Sequence, residues 1–141
     1  MAYTTELTED YMGIIHVGTG VVTGGDLIEA CRCTTQLCQI TANFHYEFID
    51  FSETTDLQLT PEELEKIVAQ DHYLATFRPD AVIVIVAPRD DLFATAKHWE
   101  QLVQDIGWKT HIARERGEAL SWLKQNYPRP QIAPAPSEHE A

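Results

Sequence analysis

Residues 81–87 read AVIVIVA and are followed at 88–91 by PRDD. Seven apolar residues without polar alternation are far too few to cross a bilayer. Their β-branched character and the turn-forming residues behind them predict a strand covered on both faces, the habit of a central strand in a parallel sheet. Downstream, Leu92, Ala96, Trp99, Val103 and Ile106 recur at helical spacing and Gly107 marks the stop. A strand over 108–113 and a helix over 115–126 follow. Upstream, a helix is predicted from about Pro61 to Thr76 with Leu64, Ile67, Val68 and Ala75 inward, preceded by the aromatic strand FHYEFIDF at 44–51.

Further towards the N-terminus, Thr23 and Asp26 form a helix-start signature, and Leu27, Ala30, Cys31, Thr34 and Cys38 share one helical face. Residues 2–7 and 12–17 form a hairpin interrupted by Glu9, Asp10 and Gly13. The resulting order is ββαβαβαβα. Strands separated by helices imply an α/β domain with a mostly parallel sheet and right-handed crossovers, the first strand adding an antiparallel edge. One domain is expected over residues 1–126. Residues 127–141, YPRPQIAPAPSEHEA, hold four prolines without apolar periodicity and are expected to be an extended or disordered tail.

The chain has 141 residues and a formal net charge of −12, with no local cluster of Lys and Arg. Such a charge repels phosphate backbones and acidic headgroups, so neither nucleic acid nor an anionic membrane is an expected partner. The start, MAYTTELTEDYMG, lacks the basic and apolar regions of a signal peptide, and the expectation is a soluble cytoplasmic protein without integral membrane association. Cys31, Cys33 and Cys38 are odd in number and crowded into one helix, which suits reduced thiols.

Signatures of catalysis are sparse. His16, His45, His72, His98, His111 and His139 are scattered, with no HExxH, no paired CxxC and no carboxylate cluster at ligand spacing, so neither metal nor cofactor is expected. GTGVVTGG at 18–25 lacks the lysine of a phosphate loop, and its glycines are read as relaxing a strand before it turns into a helix. No GxSxG elbow occurs. Open α/β sheets bind ligands at the carboxyl ends of their strands. There the sequence places Asp50, Ser52, Arg89 and Arg114, a candidate ligand or partner edge whose arginines either face a small anion or pair with neighbouring acids.

GTGVVTGGDL, FIDFS, LTPEEL, AVIVIVAPRDDLFATAKHWEQL and GWKTHIARERGEALSWL, in that order, resemble the SpoIIAA-like proteins of the STAS/SEC14-like superfamily over about residues 10–125. The resemblance implies a βα superhelix and a non-enzymatic regulatory role. Its best understood members are anti-sigma-factor antagonists that switch partners through a phosphorylated serine at a helix N-terminus. Aligning Asp50-Phe51-Ser52 with their Asp-x-Ser brings Thr60 to the phosphoacceptor position. The motif departs from theirs, because Gln58-Leu59-Thr60-Pro61 stands where they carry Asp-Ser-Ser-Gly. Read from the residues, Thr60, Pro61 and Glu63 form a capping box. A phosphate on Thr60 would gain from the helix dipole but meet Glu62 and Glu63.

Two roles remain open at this level. One is a regulatory or protein-interaction module, self-associating or binding a partner around the N-terminus of the second helix. The other is a carrier of a lipid-like or other apolar small molecule, with Phe77, Phe93, Trp99, Trp108 and Trp122 as the aromatics available to line a groove or fill the core. A cavity or a filled core separates them.

Overall fold

The computed structural model describes residues 2–40 and 44–132. Its elements run β1 (Tyr3–Leu7), β2 (Gly13–Thr23), α1 (Gly24–Ile40), β3 (Tyr46–Gln58), α2 (Pro61–Ala75), β4 (Val82–Val86), α3 (Asp90–Leu102), β5 (Lys109–Ala113) and α4 (Arg116–Asn126). The sheet order is β1-β2-β3-β4-β5. The β1–β2 pair is antiparallel, and every other pair is parallel. The order ββαβαβαβα and the α/β class are those expected from the sequence.

β4 is buried along its whole length, because helices cover both faces of the sheet. Ile83 and Ile85 point towards α1, α2 and α3, where they join Ile67, Leu74, Leu92 and Trp99. Val82, Val84 and Val86 point the other way, onto Ala119 and Leu123 of α4 with Tyr46 and Phe48 of β3. Both α1 and α2 start as their sequences dictate. Thr23 Oγ1 accepts from Asp26 N at 3.1 Å while Asp26 Oδ2 accepts from Thr23 N at 2.9 Å. Thr60 and Glu63 repeat the exchange at 3.2 and 2.9 Å, with Pro61 at the first helical position.

Two strands depart from their expected lengths. β2 runs on to Thr23 and β3 to Gln58, so Asp50 and Ser52 lie within a strand rather than closing it. β4 pairs with β3 only as far as Asp50 opposite Val86, and beyond that point β3 pairs with β2 alone. Gly20 therefore sits inside the projecting part of this pair, and Gly18 lies at its root, where β2 still pairs with Tyr3 of β1. Gly20 has φ of +65° at one of two register shifts, the place where a strand accepts a residue without a side chain. The third helix also stops earlier than expected, at Leu102. A 3₁₀ turn over Gln104–Ile106 carries the chain to Gly107, whose φ of +84° completes the stop.

The expected tail beginning at residue 127 is docked at its start. Tyr127 and Ile132 pack beside Leu123 and Tyr46, and Gln131 N donates to the Tyr46 hydroxyl at 2.8 Å. Residues 133–141 of that tail lie outside the described residues. No helix among the described residues is long and apolar enough to cross a membrane.

Candidate functional site

Between the sheet and α1–α3 lies a cavity of about 100 Å³. Its walls are mainly apolar: Leu27 and Ala30 from α1, Leu64, Ile67 and Leu74 from α2, Leu92, Ala96 and Trp99 from α3, and Ile49, Phe51 and Ile85 from the sheet. Leu57 and Leu59, at the far end of the β2–β3 arm and just beyond it, also line it. Of the five aromatics singled out in the sequence, Trp99 lines this cavity, together with Tyr3 and Phe51. Trp108 is buried with its indole N–H donated to Arg78 O at 2.7 Å, Trp122 stacks on His111, Phe77 meets Tyr73 edge-on, and Phe93 lies under Arg114.

One part of the lining is polar. His16 and Glu47, on adjacent strands, are both nearly inaccessible to solvent, with His16 Nε2 2.6 Å from Glu47 Oε1. His16 Nδ1 lies 3.0 Å from Thr5 Oγ1. The tautomer with its proton on Nε2 satisfies both contacts, donating to Glu47 and accepting from Thr5. Thr34, Cys31 and Tyr3 complete this part of the lining, with Asp71 reaching in from α2. Asp71 is 8 % exposed, and its Oδ2 accepts from Trp99 Nε1 at 2.7 Å. Burial pushes its carboxyl up to about 8, opposed by the Trp99 hydrogen bond and reinforced by the nearby Glu47. Burial likewise raises the Cys31 thiol, with Asp71 and Glu47 adding to it, and it raises the Tyr3 phenol, with Cys31, Glu47 and Asp71 adding. Among the described residues no Lys or Arg lines the cavity.

The predicted strand-end residues are arranged differently. Arg114 binds Asp90 Oδ1 at 2.6 Å and lies over the Phe93 ring at 4.0 Å. Arg89 pairs with Asp91 at 3.2 Å and donates to Thr55 O. Asp50 is engaged by Arg116, 2.7 Å away, while its other oxygen accepts from Ser52 N at 2.9 Å and from the Ser52 hydroxyl. Arg89 and Arg114 thus stand at the ends of neighbouring strands, each held by an acid from the first turn of α3, and Asp50 is tied to α4. Thr60 is exposed with its hydroxyl in the capping box. It lines a shallow outer depression with Pro61, Ala94 and His98, and Leu59, Leu64 and Thr95 belong to both this depression and the cavity. Among the described residues no group of three or more His, Cys, Asp or Glu side chains is placed to hold a metal ion.

No protein-family model and no curated protein matches the sequence. Solved structures do match in shape. The anti-sigma factor antagonist SpoIIAA, in its unphosphorylated form, superposes with a TM-score of 0.53 over 87 % of this chain and 98 % of its own, at 11 % identity. The chain has the SpoIIAA-like fold. An uncharacterised DUF3478-family protein with a SpoIIAA-like fold from Shewanella loihica PV-4 superposes with a TM-score of 0.52 over 86 % of this chain and 92 % of its own, at 14 % identity. At these identities the SpoIIAA-like likeness is one of fold.

Cys31 and Thr34 lie on the helical face read from the sequence, whereas His16, Glu47 and Asp71 form no motif because they come from separate elements. Each nevertheless leaves a trace in the sequence. His16 follows Ile14 on the inward alternation of β2, Glu47 stands in the midst of the aromatic run of β3, and Asp71 falls between Ile67 and Leu74 on the inward stripe of α2. An ionisable residue at an inward position is the signal that finds them.

Proposed function

We infer that this protein is a non-enzymatic regulatory module that binds a small, mostly apolar molecule between its sheet and α1–α3, and that it meets a protein partner around the N-terminus of α2. The observation that carries the reading is the cavity of about 100 Å³ whose rim residues Leu59, Leu64 and Thr95 are shared with the surface around Thr60. A closely packed interior has few voids larger than a water molecule, so a space of this size with a few convergent polar groups has the character of a ligand site. Because cavity and outer surface share these side chains, occupancy inside bears directly on the shape presented outside.

The regulatory role does not run through Thr60 phosphorylation, because the hydroxyl already serves the cap and Glu62 and Glu63 occupy the first turn. At the strand ends Asp50, Arg89 and Arg114 are read as structural, each spent on a local partner. The test is native mass spectrometry of the protein from its own host, alongside an Ala96→Leu variant that fills the cavity. A non-covalent adduct on the wild type that disappears in Ala96→Leu supports the reading. An unliganded mass for both, with no small molecule able to shift the Tm of the wild type, overturns it.

A further inference from the structure

The cavity carries two buried acids and no basic side chain other than the His16 imidazole, and this asymmetry narrows what it can hold. Glu47 spends Oε1 on His16, and Asp71 spends Oδ2 on Trp99. Asp71 is 8 % and Glu47 6 % exposed, so both carboxyls are largely withdrawn from water. Burial makes the charged form of each carboxyl costly, and a second acid nearby adds to the cost. An incoming cation with N–H donors relieves both. An anion would meet two acids, and a purely apolar guest would offer them neither charge nor donors.

Resting on the reading of the cavity as a ligand site, we propose that its ligand is a compact primary amine, its ammonium group held between Asp71 and Glu47 and its hydrocarbon body against Leu64, Ile67 and Trp99. Size sets the body. A cavity of ~150 Å³ admits the six heavy atoms of benzene, so a space about two thirds as large holds an aliphatic amine of about three or four carbons. Entry releases one proton, because Asp71 is largely neutral while the cavity is empty near neutral pH and must ionise to face an ammonium. The other titratable groups facing it are Tyr3 from β1, His16 from β2, Cys31 from α1 and Glu47 from β3, with His72 adjacent on α2. α3 contributes the neutral Trp99.

The experiment uses n-butylamine, butyrate and benzene as probes of the full chain, with binding read by titration of the backbone amide resonances and by the shift in Tm. n-Butylamine should bind saturably, and more tightly at pH 8 than at pH 6. The isosteric Asp71→Asn, which keeps an acceptor for Trp99, should weaken it by about tenfold or more. Glu47→Gln, which keeps an acceptor for His16, is the second variant should Asp71→Asn fail to fold, and it too should weaken the amine. Butyrate should not bind. If n-butylamine binds the wild type and either folded variant equally, the proposal falls. If benzene binds and the amine does not, the cavity remains a ligand site and the amine assignment is overturned. If none of the three binds, both the assignment and the ligand site are overturned.

Discussion

Under α4 the sheet is closed by Tyr46, Phe48, Val84 and Val86 meeting Ala113, Ala119 and Leu123, all without measurable exposure. Under α1–α3 the alternate residues of the same strands include Glu47 and Ile49, His16 joins them from β2, and a cavity of about 100 Å³ remains. One strand therefore serves both arrangements, because successive side chains of β3 point to opposite faces. The difference lies in what covers them. α4 brings Ala119 and Leu123 against the strands, and Tyr127 and Ile132 extend its cover. On the other face α2 packs extensively on α1 and little on α3. Rigidity belongs to the first face, and room for a guest to the second.

That contrast can be broken by truncating one side chain on each face. Phe48→Ala should cost about 3–5 kcal/mol, because it opens a void in a filled layer. Leu64→Ala should cost about 1 kcal/mol, since Leu64 is partly exposed and already borders space. Equal losses in urea denaturation would show that the two faces are packed alike.

A pH titration of stability sharpens the contrast further. Because the Asp71 carboxyl is raised to about 8 in the folded chain, the native state holds a proton that the unfolded state loses near pH 4. Stability contributed by this group should therefore fall as pH rises from about 4 to 8, by a few kcal/mol, and level off above. Asp71→Asn should flatten that part of the profile. A slope unchanged in Asp71→Asn would remove the buried acid from the account.

Smaller effects are expected at the margins of each face. Thr60→Ala, at the rim of the cavity side, should lower stability by roughly 1 kcal/mol while Thr60→Ser is nearly neutral. An unaltered denaturation midpoint for Thr60→Ala would dismiss the capping role. On the α4 side, ending the chain after Pro128 should cost about 1 kcal/mol relative to ending it after Ile132, through loss of the Gln131–Tyr46 hydrogen bond and the Ile132 contact. Identical melting of the two truncations would show that this docked segment adds nothing.

Where burial is dense, the sequence is readable. AVIVIVA announced the central strand because both its faces are covered, and Thr60-Pro61-Glu62-Glu63 announced the start of α2 because a cap is a local device. The outer part of β3, SETTDLQ, escaped notice for a physical reason. Past Asp50 it has a partner on one side only and is largely exposed, so its residues are polar and resemble a loop. Arg116 was overlooked as the partner of Asp50 because 66 positions separate them. The polar lining of the cavity depends in the same way on which strands become neighbours, which no local pattern reveals.

The β2–β3 arm has a mechanical consequence. From Phe51 to Gln58 the strand projects past β4 as a cantilever, at roughly 3.3 Å per residue, with β2 beneath it and register shifts near its root. Its free end carries Leu57, then Leu59, and passes directly into Thr60, so part of the cavity wall and the first turn of α2 hang from one beam. Arg89, anchored by Asp91 at the start of α3, reaches Thr55 O partway along and acts as the strut. A load applied at the start of α2 is thereby passed towards the end of β4 by the Arg89 guanidinium as well as along β2.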